Sequence, residues 1–136
     1  MTDRGTVHVV DDDEAVRDSI AGIVEMMGLA VRAYDSAEEF LSACEKTGPA
    51  CLVLDVRLPG ISGIELLDRL QARQMPLPAI LVTGHSEGPV ITRHAGAISV
   101  ESLQKPFRPQ ELRQRILSAL EADESYGQQA TSRKAS

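Results

Sequence analysis

Aromatic residues are nearly missing from this 136-residue chain, which has no tryptophan, two tyrosines and two phenylalanines. Aliphatic side chains must therefore fill its core. Cysteine is scarce as well: Cys44 and Cys51 form no CxxC pair, and no Cys/His spacing suits a zinc site, so both read as packed free thiols. There is no excess of positive charge. With 14 Lys and Arg against 20 Asp and Glu, a net charge of −6, the domain lacks the electrostatic footprint for nucleic acid or an anionic membrane surface. No uncharged run is long enough to span a bilayer, and no apolar signal region precedes the first strand pattern, so a soluble cytoplasmic protein is expected. A glycine-rich phosphate loop is missing too. Where a dinucleotide-binding chain would carry one, the first turn has Asp11-Asp12-Asp13, which would repel pyrophosphate.

What is present is organised around Cys51-Leu52-Val53-Leu54-Asp55-Val56-Arg57-Leu58-Pro59-Gly60. An apolar run of strand length, suited to burial on both faces, ends on one carboxylate and is then broken by Pro-Gly. Thr6-Val7-His8-Val9-Val10 is an earlier strand ending in acids. From Glu14 to Gly28, Val16, Ile20, Ile23, Val24 and Met27 recur at helical steps, and Gly28 closes the helix. Leu29 to Tyr34 reads as a second strand. Ser36-Ala37-Glu38-Glu39 and Ser62-Gly63-Ile64-Glu65 are capping boxes, the first opening a helix through about Lys46. Ala79 to Thr83 is another apolar strand. Gly88 to Gly96 carries glycine and β-branched residues inside a weak helical pattern, so a short or irregular helix is expected there. A last strand over about Ile98 to Gln104 leads into Lys105-Pro106-Phe107, and a last helix runs from Pro109 through Leu112, Ile116, Leu117 and Leu120.

Five strands alternating with about five helices predict an α/β fold with a doubly wound parallel sheet. Right-handed crossovers would align the strand ends at one edge, bringing together Asp11, Asp12, Asp55, Thr83 and Lys105. Converging carboxylates need a compensating cation, and an all-oxygen set suits Mg²⁺. A cation, an ammonium and a hydroxyl around one free carboxylate are what a phosphoryl group requires, with Asp55 as nucleophile. In isolation, Asp11 to Glu14 read more readily as a solvated helix start than as a site. The agreement of four strand tips argues for the site.

Those same motifs carry a resemblance. Val-His-Val-Val-Asp11-Asp12, Asp55 within Leu-Asp-Val-Arg-Leu-Pro-Gly, Thr83 within Val-Thr-Gly-His, and Lys105-Pro106-Phe107 resemble the response-regulator receiver domain of two-component signalling, most closely its FixJ-like branch. The resemblance covers roughly Val7 to Leu120 and implies the flavodoxin-like strand order 2-1-3-4-5. It implies that Asp55 accepts a phosphoryl group from a sensor histidine kinase or phosphotransfer protein. Asp11 and Asp12 resemble the Mg²⁺-holding acid pair, and Arg57 would add its backbone carbonyl. Asp13 leaves a shift by one open; the first two acids follow the apolar strand directly. Thr83 and Lys105 match the groups that contact the phosphoryl oxygens, and a cis bond is implied between Lys105 and Pro106.

The chain also departs from the family. Ser102 stands three residues before the lysine, where the family usually has Tyr or Phe that moves with the hydroxyl residue, so Thr83 and Ser102 are the positions at which the switch is in question. A downstream protein partner would dock on the fourth helix, fifth strand and fifth helix, and a homodimer is also compatible. Among the histidines, His8 reads as packed, His85 lies near the site mouth and His94 reads as surface. A magnesium-dependent phosphatase would resemble Asp-x-Asp after the strand, but Arg57 occupies the second position. A receiver-like interaction module that does not switch is the reading Ser102 favours. A receiver domain over residues 1–122 with a flexible tail over 123–136 is expected, as a single-domain regulator without DNA-binding output and not itself an enzyme, or as the receiver part of a FixJ/LuxR-type transcription regulator.

Overall fold

The computed structural model describes residues 5–45, 48–84 and 100–135. In chain order these form β1 (Thr6–Val10), α1 (Glu14–Met26), β2 (Ala30–Tyr34), α2 (Ala37–Ala43), β3 (Ala50–Asp55), α3 (Gly63–Ala72), β4 (Ala79–Thr83), β5 (Val100–Gln104) and α4 (Pro109–Ala135). The irregular helix expected over Gly88 to Gly96 lies outside the described residues, as do His85 and His94. All strand pairs are parallel, in the order β2-β1-β3-β4-β5, which is the doubly wound α/β sheet that the resemblance implied.

Local chemistry sets the helix ends. The Asp13 carboxylate caps α1 by accepting from the Ala15 and Val16 amides, and Gly28, at φ +77°, takes the left-handed turn that stops it. Ser36 accepts from the Glu39 amide at 3.0 Å and Ser62 from the Glu65 amide at 3.2 Å, so both expected boxes open helices. Helix α2 is shorter than expected. It stops at Ala43, with Cys44 extended, and Arg73 Nη1 donates to the freed Leu41 carbonyl at 2.6 Å.

Two apolar layers sandwich the sheet. Leu52, Leu54 and Leu81 pack with Phe40 of α2 and with Leu66 and Leu70 of α3, whereas Val53, Ile80 and Val82 pack with Ile20 and Val24 of α1 and with Leu112 and Ile116 of α4. Alternate residues of β3 thus enter opposite layers, which is why that strand reads as one unbroken apolar run.

Contacts of the last helix continue past residue 122. Asp123 is buried, and its Oδ2 accepts the Ala50 amide at 2.9 Å, tying the helix to the first residue of β3. Helix α4 itself continues to Ala135. The apolar periodicity that ends at Leu120 marks the end of a stripe, not the end of the helix.

Candidate functional site

Strand register brings the chemistry together. Val10 lies level with Leu54, Asp55 with Val82, and Thr83 with Gln104. The next residue of β1 is Asp11 and the next after β5 is Lys105, so three strand ends deliver carboxylates and an ammonium to the carboxyl edge of the sheet. One oxygen each from Asp11, Asp12 and Asp55 lies within 4.8 Å of the others. Lys105 Nζ stands 3.8 Å from Asp55 Oδ2 and 4.0 Å from Asp11 Oδ2.

Both of these acids are held in the same way. Asp55 Oδ1 accepts the Arg57 amide at 2.9 Å, and Asp11 Oδ1 accepts the Asp13 amide at 2.9 Å. In each, a backbone N–H two residues on fixes one oxygen and leaves the other turned to Lys105. The Lys105 amide in turn donates to the Thr83 carbonyl at 2.7 Å, joining the tips of β4 and β5. The Lys105–Pro106 bond is cis.

Burial differs across the cluster: Asp11 is buried, Asp55 half-buried and Asp12 exposed. Burial pushes the Asp11 carboxyl above its ordinary pKa, the Asp13 amide and Lys105 oppose this, and the charges of Asp55 and Asp12 add to the rise. A hard divalent cation would relieve that repulsion, and three carboxylates at this spacing suit Mg²⁺, which keeps waters beside a few oxygen ligands. The Asp13 carboxylate caps α1, and the two acids that gather with Asp55 are Asp11 and Asp12.

Thr83 is buried at the tip of β4. Ser102 sits further back, paired with Leu81 in the middle of β5, where with Glu111 and Arg115 it lines a groove of 340 Å³. A second groove, of 560 Å³, runs beside the site between α1 and the Lys105–Phe107 turn, lined by Ala15, Val16, Ser19 and Ile20 on the helix side.

Arg17 has no role in the sequence reading. Its Nη1 donates to the Asp11 carbonyl at 2.7 Å. The signal available was slight: an arginine one helical turn after Asp13, half-buried at the edge of the α1 face that carries Ile20 and Val24.

A doubly wound sheet gathers three aspartates and a lysine into one acidic pocket at its carboxyl edge. The sequence matches the response regulator receiver domain over residues 7–117, and the chain belongs to that family. It is 40% identical over 120 residues to the transcriptional regulatory protein FixJ of Bradyrhizobium diazoefficiens, covering 88% of this chain and 58% of that protein. It is 37% identical over 132 residues to the C4-dicarboxylate transport transcriptional regulatory protein DctR of Rhodobacter capsulatus, covering 96% of this chain and 67% of that one. The chain thus spans little more than half the length of the FixJ protein. Among solved structures it resembles the amino-terminal domain of FixJ, at 40% identity and a TM-score of 0.77 over 89% of this chain and 96% of that one. It also resembles the response regulator StyR, at 37% identity and a TM-score of 0.86 over 96% of this chain and 66% of that one. Receiver domains are signalling domains of bacterial two-component systems that work with histidine kinases or phosphotransfer proteins, with phosphorylation and Mg²⁺ as general features. Among the described residues no helix is long and apolar enough to cross a membrane.

Proposed function

We propose that Asp55 accepts a phosphoryl group from a phosphohistidine of a sensor histidine kinase or phosphotransfer protein, and that the receiver then changes its affinity for a downstream protein. The observation that carries this is Lys105 Nζ standing between the free oxygens of Asp55 and Asp11 at 3.8 and 4.0 Å, with Asp12 completing the cluster. Asp11, Asp12, Asp55 and the Arg57 backbone carbonyl would hold Mg²⁺, which supplies charge neutralisation for the phosphoryl oxygens. The free Asp55 oxygen attacks phosphorus, the bond from phosphorus to the imidazole nitrogen breaks, and the imidazole leaves with its electron pair. Lys105 and the Thr83 hydroxyl take the equatorial oxygens. Attack of water on the same phosphorus later releases inorganic phosphate and restores the carboxylate. The domain thereby assists its own phosphorylation and dephosphorylation without acting on an external substrate.

The downstream face we assign is β5 with the polar side of α4, where the Arg115–Glu101 pair at 3.0 Å and Ser102 lie. A transcriptional output of the kind named for its FixJ and DctR relatives is compatible with this reading. The test is intact mass after incubation with acetyl phosphate. One added phosphoryl group that requires both Mg²⁺ and Asp55 supports the reading, and labelling that persists in Asp55→Asn at a mapped site contradicts the choice of acceptor. If the native chain is never labelled, by acetyl phosphate or by a kinase, the interaction module that Ser102 favours replaces it.

A further inference from the structure

The turn from β1 into α1 places three acids in succession, each held differently. The Asp11 carboxylate is fixed by the Asp13 amide, and the Asp13 carboxylate by the start of α1. Asp12 is exposed. Its position depends on the peptide plane it shares with Asp11, because the Asp11 carbonyl and the Asp12 amide belong to one rigid unit. That carbonyl is the group Arg17 holds, at 2.7 Å. Arg17 is half-buried and anchored in the helix, its own amide bonded to the Asp13 carbonyl at 3.0 Å, so a side chain from the first turn of α1 reaches back to the strand end.

We infer that Arg17 is a positioning residue for the cation site: by fixing the Asp11–Asp12 peptide it presets the Asp12 carboxylate beside Asp11 and Asp55. The inference rests on the reading of those three acids as the Mg²⁺ site. It makes a prediction of unusual sign. As a bare positive charge near the pocket, Arg17 would repel a divalent cation, so its removal would tighten binding. As a positioning group, its removal weakens binding, as the loss of outer-shell partners does at metal sites, by roughly tenfold.

The experiment uses Mn²⁺ as the probe, read by the loss of the free-ion paramagnetic resonance signal, on the native chain and on Arg17→Gln, Arg17→Lys, Asp12→Asn and the Arg17→Gln/Asp12→Asn double variant. Thermal unfolding without metal checks that each is folded. The expected result is a roughly tenfold higher dissociation constant for Arg17→Gln, partial recovery in Arg17→Lys, which retains a donor without the planar fork, and no further loss when Arg17→Gln is added to Asp12→Asn. Unchanged or tighter binding in Arg17→Gln would overturn the inference, and so would an equal loss in the Asp12→Asn background. Should Arg17→Gln fail to fold, Arg17→Lys carries the same comparison. A native chain that binds no Mn²⁺ would remove the functional reading itself, which is a different result from native binding that Arg17 does not influence.

Discussion

Replacing Lys105 by methionine tests the balance of charge on which the pocket depends. The ammonium lies 4.0 Å from Asp11 Oδ2 and 3.8 Å from Asp55 Oδ2; the Asp11 side chain is 2% exposed and that of Lys105 35%. At about 4 Å each pair would be worth about 4 kcal/mol at an effective dielectric of ~20, while freely exposed pairs measure below about 1 kcal/mol. One partner is buried and the lysine faces water, so the value falls near the lower limit, about 1 kcal/mol for each pair and about 2 kcal/mol together. Lys105→Met should therefore unfold more easily without Mg²⁺, by about 2 kcal/mol in urea, or roughly 6–10 °C in Tm for a domain of this size. The same substitution removes a positive charge that competes with a cation for the same oxygens. Mg²⁺ should bind several-fold more tightly to the variant than to the native chain and return most of the lost stability by mass action. Acetyl phosphate labelling should nevertheless fall, because the ammonium no longer meets the phosphoryl oxygens. Urea curves with and without excess Mg²⁺ give all the terms. A variant as stable as the native chain without Mg²⁺, or one that binds Mg²⁺ more weakly, would refute the reasoning.

Asp123→Ala leaves the Ala50 amide buried without its 2.9 Å acceptor and should cost about 2 kcal/mol in urea unfolding, with Asp123→Asn costing less because its carbonyl oxygen can still accept. Gly63→Ala would set a Cβ 2.9 Å from Leu54 Cδ1 and 3.0 Å from the Asp55 carbonyl, so it should destabilise by about 1–3 kcal/mol and slow labelling of Asp55 by acetyl phosphate as β3 shifts. His8 is buried against Tyr34 and Phe40, and burial, helped by the charge of Arg32, lowers its pKa from 6.5 to about 4. The unfolded chain takes up that proton first. Stability is complete above about pH 6.5 and declines as pH falls toward 4, by about 3 kcal/mol in total; His8→Leu should flatten that decline in a series of urea midpoints. Asp11, raised by burial, works in the opposite sense, its contribution being present at low pH and lost as pH rises through its folded pKa.

What could be read in the sequence was whatever the sheet enforces. Parallel strands with buried faces announce themselves as apolar runs, and right-handed crossovers oblige their ends to meet, so the strand ends carrying Asp11, Asp55, Thr83 and Lys105 could be placed together from the sequence. Capping serines were equally legible, since Ser36 and Ser62 act within three residues. Contacts across long stretches of chain were not. Asp123 meets Ala50 from 73 positions away and falls after Leu120, where the apolar stripe of its helix ends and periodicity carries no information. Arg17 was hidden for a related reason: it lies at the edge of the buried face of α1, and a solvated arginine and one that folds back on a strand end look alike in sequence.

Asp11, Asp12 and Asp13 show why composition alone could not choose the acid pair of the proposed cation site. Three identical side chains in a row differ only in what the backbone does beneath them. Asp11 still follows the sheet: its amide donates to the Tyr34 carbonyl at 3.2 Å, and its side chain is buried at the strand end. Asp13 is extended but already belongs to the helix, its carboxylate taken up by the Ala15 and Val16 amides. Asp12 lies on the single residue of turn between them, so the chain's change of direction exposes it. A substitution that moved the helix start by one residue would exchange these environments without altering the count of acids. The identity of the proposed site therefore resides in the junction between β1 and α1, and Asp13 fixes that junction by capping the helix where it does.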